Sequence, residues 1–118
     1  MKNLAPHILR QRLLIEGFYK GSVDKKVIDG YFNEITTALK LRMYGKPIIF
    51  STGKAGKEEN QGYDAFVPLI DSGISLYVWS NAKFLSILLY TCKSFDENKA
   101  VEATIAFFGM ENAEFQPF

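Results

Sequence analysis

The chain has one cysteine, one histidine and one tryptophan among 118 residues. A single cysteine excludes an intramolecular disulfide and fits a reducing compartment, so a cytoplasmic location is expected. One histidine and one cysteine cannot furnish a zinc shell, and the scattered carboxylates show no ligand spacing, so no metal is expected. No apolar run approaches the ~20 residues that a membrane-spanning helix needs. Arg10 and Arg12 interrupt the N-terminus, which lacks a signal-peptide core. Neither sign of charge is in excess: 14 basic and 13 acidic residues give a net +1. Nucleic-acid-binding domains usually show a clustered basic surplus, so neither nucleic acid nor membrane is expected as a partner.

Ordinary globular chemistry is present instead. Hydrophobic residues make up 47% and charged residues 23%, enough for a core in one domain spanning residues 1–118. Residues 1–10 form a short N-terminal extension. Leu13–Tyr19 is short and apolar and reads as a strand. Asp24 is placed to cap a helix. Val27, Ile28, Tyr31, Ile35, Ala38 and Leu39 then recur at helical spacing. Ile48-Ile49-Phe50 starts a second strand after Pro47. Gly53–Gly62 is a polar loop whose Gly53-Lys54-Ala55-Gly56-Lys57 lacks phosphate-loop spacing.

Tyr63–Ile70 reads as a third strand, with Pro68 suited to an edge or bulge because it has no amide donor. Ser75–Ser80 and Phe84–Cys92 are the next two strands. Asp96 caps a second helix, which buries Ala100, Val101, Thr104, Ile105, Phe107 and Phe108, and Gly109 ends it. Glu114–Gln116 allows a last short strand. Adjacent strands joined by tight turns pair antiparallel, and two amphipathic helices can cover one face. The expected fold is therefore α+β: a two-layer sandwich of an antiparallel sheet covered on one face by two helices. The other face is left for solvent or a dimer, and 10 Phe and 6 Tyr suit a second buried face.

The most distinctive stretch is Asp71-Ser72-Gly73-Ile74-Ser75-Leu76-Tyr77-Val78-Trp79, with Tyr90-Thr91-Cys92 after it. Taken alone, Ser72 before Gly73 is a turn residue and Cys92 on an apolar strand is a core cysteine. Asp64 and Asp71 read as solvated acids or as a carboxylate pair. Trp79 and Phe66 read as core aromatics or as rings stacking on a base. Lys93 and Lys99 read as solvated.

In order and spacing this stretch resembles the self-cleaving centre of the prokaryotic S-adenosylmethionine decarboxylases, and the likeness extends from about Leu13 to Phe108. That family has Glu-Ser-His-Leu-Ser-Ile-His-Thr-Trp, and its Phe-Thr-Cys matches Tyr90-Thr91-Cys92 without a gap. The resemblance implies the fold given above and a role in polyamine (spermidine) synthesis. It implies cleavage between Asp71 and Ser72, a pyruvoyl cofactor derived from Ser72, and Cys92 as proton donor. It also implies S-adenosylmethionine as ligand, on whose adenine ring Trp79 and Phe66 could stack if they are not core aromatics, and a homodimer.

Two positions differ chemically. Tyr77 stands where the family's processing histidine stands, and Asp64 where it has a serine that helps cleavage. Imidazole titrates near ~6.5 and phenol near ~10, so Tyr77 is a poor proton acceptor at neutral pH. A carboxylate at 64 can act as a base, but its charge opposes a nearby oxyanion. Catalytic candidates are thus Ser72, Cys92, Tyr77 and Asp64. The function expected is that of a diverged decarboxylase-like protein. The alternatives are an uncleaved homologue that binds a nucleoside ligand or regulates an active enzyme, and an α+β domain that dimerises around another ligand.

Overall fold

The computed structural model describes residues 1–52 and 61–118. Most of the polar loop expected over Gly53–Gly62 lies outside the described residues. Among the described residues, six strands and two helices follow in the order β1 (Gln11–Phe18), α1 (Lys25–Ala38), β2 (Ile48–Ser51), β3 (Gly62–Leu69), β4 (Ser72–Trp79), β5 (Phe84–Thr91), α2 (Glu97–Phe108) and β6 (Glu111–Pro117). The strands form one antiparallel sheet in the order β2-β3-β4-β5-β1-β6. The fold is the two-layer α+β sandwich that the pattern of elements implies.

Alternation decides which side chains enter the core. Leu13 and Ile15 of β1, Ala65, Val67 and Leu69 of β3, Ile74, Leu76 and Val78 of β4, and Leu85, Ile87 and Leu89 of β5 are buried beneath the helices. Successive strand residues point to opposite faces, so their neighbours form a helix-free face.

Both helices begin where a carboxylate satisfies a free amide. Asp24 accepts from Val27 N, and Asp96 accepts from Lys99 N. Helix α2 ends at Gly109 in the left-handed region, φ 59°. The helices meet through a buried hydrogen bond of 2.8 Å between Tyr31 Oη and Thr104 Oγ1. The Tyr31 ring lies 4.8 Å from Phe108 and 5.5 Å from Phe107. Phe32 and Thr36 are also buried on α1, so its inner face is wider than the expected apolar stripe.

Pro68 sits where its missing amide costs nothing. Strand β2 pairs only with Tyr63–Phe66, so Pro68 lies beyond its end. There the segment after α1 takes over. Leu41 N donates to Thr36 O, Met43 forms an isolated bridge with Leu69, and Tyr44 N donates to Pro68 O at 2.8 Å. Lys40 turns the chain in a left-handed conformation, φ 56°. These contacts carry Lys40–Arg42 to the tip of the β3–β4 hairpin.

Candidate active site

The β3–β4 connection is tight. Leu69 pairs with Ser72, leaving Ile70 and Asp71 as the turn. Asp71 adopts a left-handed conformation, φ 51°. Aspartate tolerates this region better than most residues because its side chain is short and polar. The turn places Ser72 as the first residue of β4, three positions earlier than the strand start expected from sequence.

Strand β5 runs beside β4 and ends next to this turn. The backbone amide of Cys92 donates to Ser72 Oγ at 2.9 Å. The Cys92 thiol donates to the Asp71 carbonyl oxygen at 2.8 Å. One residue therefore touches both sides of the Asp71–Ser72 peptide bond. The thiol bond draws electron density from the carbonyl carbon and makes it a better electrophile. The amide bond fixes where the hydroxyl oxygen sits.

A cavity of about 420 Å³ opens at this point. Its apolar lining is Leu41, Leu69 and Ile70, and its polar lining is Lys40, Arg42, Asp71, Ser72, Cys92 and Lys93. Lys93 Nζ donates to the Lys40 carbonyl at 3.2 Å, tying the end of β5 to the turn after α1. Sequence reasoning did not find Lys40, Arg42 or the apolar lining, and it read Lys93 as solvated. Their only signal was three cations at the ends of two elements, which says nothing about convergence.

Asp64 and Tyr77 are elsewhere. They are directly opposed on β3 and β4, and they line a separate cleft with Ile48, Phe50, Phe66 and Ser75. This cleft, about 330 Å³, lies on the helix-free face. Tyr77 is five residues along β4 from Ser72, about 17 Å. An odd separation on one strand also turns the two side chains to opposite faces. The structure thus brings Ser72, Asp71 and Cys92 together and keeps Tyr77 and Asp64 apart from them within one chain.

Of the two candidate ligand contacts, Phe66 lines the Asp64–Tyr77 cleft and is 40% exposed. Its ring lies against Gly73, where an added Cβ would come within 2.5 Å of it. Glycine at 73 therefore leaves room for the ring against β4. Trp79 is at the far end of β4 from Ser72, about 23 Å away. It is half-buried and packs on Phe84 with ring centres 5.6 Å apart. His7 lines a third cavity with Arg10, Arg12 and Tyr90. Among the described residues no cluster of His, Cys, Asp or Glu could hold a metal ion. None of the described helices is long and apolar enough to cross a membrane.

Comparison with known proteins agrees with this architecture. The solved adenosylmethionine decarboxylase from Aquifex aeolicus VF5 superposes with a TM-score of 0.73 at 16% identity, over 94% of this chain and 89% of that one. At that identity the likeness speaks for the fold. No curated protein matches the chain. The family model of S-adenosylmethionine decarboxylase matches residues 19–118, which include the β3–β4 turn, Ser72 and Cys92. The chain belongs to the S-adenosylmethionine decarboxylase family.

Proposed function

We propose that this protein is an S-adenosylmethionine decarboxylase-type enzyme precursor of polyamine synthesis, whose processing site is the Asp71–Ser72 peptide. The observation that carries this reading is the pair of hydrogen bonds from Cys92 to Asp71 O and Ser72 Oγ. In the processing reaction Ser72 Oγ attacks the Asp71 carbonyl carbon. The C–N bond breaks, and the hydroxyl proton passes to the nitrogen, leaving an ester. Elimination then frees the Asp71 carboxylate and leaves a dehydroalanine, and loss of ammonia by hydrolysis gives a new pyruvoyl N-terminus. The thiol stabilises charge growing on the Asp71 oxygen, and the Cys92 amide holds Oγ beside the cavity.

The pyruvoyl group so formed supplies an electron sink for decarboxylation of an amino acid. The cavity walls then hold the substrate, and the Cys92 thiol is the proton source beside the reacting end. The helix-free face supports a homodimer. It exposes Phe18, Ile48, Phe50, Phe66, Tyr77 and Tyr90, which a second copy would cover.

One observation favours a second reading. Asp64 and Tyr77 are remote from Ser72 in the same chain, and the Cys92 amide donates to the Ser72 hydroxyl and takes no proton from it. Without a proton acceptor for the hydroxyl the chain stays whole and acts by binding a nucleoside ligand or an active relative. Denaturing intact mass distinguishes the two. Two fragments split before Ser72 support the enzyme. A single species at 13.4 kDa supports the uncleaved binding protein.

A further inference from the structure

The helix-free face carries a charge pattern that one copy leaves unsatisfied. Strand pairing lays this face out in rows. Tyr77, Ser86, Glu16 and Glu114 form one row. Ser75, Leu88, Leu14 and Gln116 form the next, and Gly73, Tyr90 and Arg12 a third. Glu16 is directly opposite Glu114, so β1 and β6 set two like charges side by side, a destabilising pair. Both line a cleft of about 170 Å³ with Leu14, Phe115 and Gln116. Glu16 accepts a hydrogen bond of 2.8 Å from Ser86 Oγ, and neither carboxylate is in an ion pair among the described residues. Covering such a cleft with apolar surface is costly, because it buries charge without a partner. A guanidinium suits it, since its planar fork can serve two carboxylates.

Arg12 is the cation that the described strands place on this face. Its Nε donates to Phe118 O at 2.9 Å, and its guanidinium lies 5.2 Å from the centre of the Phe118 ring. The Nε bond uses one of five N–H donors. Four residues of β1 keep Arg12 about 13 Å from Glu16 of its own chain. Leu14 is midway between them, and its row is the middle of the three. A two-fold axis in the interface, running along the Leu14 row, exchanges the rows on either side of it. It sets Arg12 of each copy over Glu16 of the other, because two-fold contacts are reciprocal. Half-buried Leu14 and Leu88 then meet their own counterparts at the axis. Six strands about 4.8 Å apart make a face roughly 24 by 27 Å, on the order of 650 Å² before side-chain relief is counted. Stable interfaces bury about 800 Å² a side.

We propose that two copies pack helix-free face to helix-free face about this axis, with Arg12 of each copy seated in the Glu16–Glu114 cleft of the other. The two reciprocal charge contacts fix the register of the pair. This rests on the homodimer proposed for the face and adds its axis and its recognition residues.

The test is sedimentation of the full chain over a concentration series, with intact mass read on the same samples to separate association from processing. The parent should dimerise. Arg12→Glu and Glu16→Arg should each weaken the dimer about a hundredfold, since either change spoils both reciprocal contacts at about tenfold apiece. An equimolar mixture of the two variants should associate as tightly as the parent, because every contact in the mixed dimer again joins opposite charges. The double reversal Arg12→Glu with Glu16→Arg in one chain should do the same. Lys26→Glu, the same charge change on an exposed residue of α1, should have no effect. A parent that stays monomeric overturns both the homodimer and this register. A parent dimer that tolerates the single reversals, or that Lys26→Glu weakens equally, overturns the register alone. So does a mixture and a double reversal that both remain as weak as the single variants.

Discussion

The Cys92 thiol donates to the Asp71 carbonyl oxygen at 2.8 Å, across 21 residues of sequence. The contact joins the end of β5 to the β3–β4 turn and points a proton at the peptide oxygen that must gain charge if the chain cleaves itself. Ser72→Ala should abolish cleavage, and Cys92→Ala should slow it by about 10²-fold, the usual effect of removing one oxyanion donor. Cys92→Ser should fall between, since a hydroxyl can also donate. Mass spectrometry over time after synthesis reads all three, and equal rates for Cys92→Ala and the parent would remove the thiol from processing.

Placing a histidine at 77 should not speed cleavage in one isolated copy. Tyr77 is on the opposite face of β4 from Ser72 and about 17 Å along it. The rate of cleavage of Tyr77→His should equal that of the parent in samples shown by light scattering to be monomeric. Faster cleavage in such samples would mean that the strand rearranges before the reaction.

Asp71 holds a left-handed conformation in a two-residue turn. Asp71→Gly should preserve stability or raise it by up to about 1 kcal/mol, because glycine enters this region without a steric cost. Asp71→Val should lower it by about 1–2 kcal/mol, since a β-branched side chain is strained there. Urea unfolding gives both values, and a valine variant as stable as the glycine variant would refute the turn conformation.

Tyr31 provides a pH test of the helix layer. It is fully buried, and burial pushes its phenol well above the ordinary value of 10.0, with its bond to Thr104 acting weakly the other way. The folded state therefore keeps the proton after the unfolded chain loses it. Stability from this group is complete below pH ~10 and is lost as pH rises further, by at most about 1.4 kcal/mol per pH unit. Tyr31→Phe should cost about 1 kcal/mol at neutral pH, through the lost hydrogen bond, and should flatten the alkaline slope. An unchanged slope would place Tyr31 in contact with solvent.

Local signals in the sequence determined the elements. Asp24 and Asp96 cap helices because a carboxylate one position before a helix satisfies a free amide, whatever the rest of the chain does. The pattern at Ser72 and Cys92 also indicated the family. The start of β4 was harder, because the polar, glycine-containing Asp71-Ser72-Gly73 resembles a turn, and only pairing with Leu69 and Tyr90 extends the strand to it. Reading the strand from Ser75 left Ser72 outside the alternation, so its placement on the face opposite Tyr77 was hidden.

Tertiary structure alone decided the make-up of the cavity. Lys40 and Arg42 follow one helix, Lys93 follows a strand, and Ser72 begins another. Their meeting depends on the bridge from Met43 to Leu69 and on the antiparallel pairing of β4 with β5. Such contacts are set by sheet order and register, which depend on the packing of the whole core and leave no periodic trace near the residues they bring together.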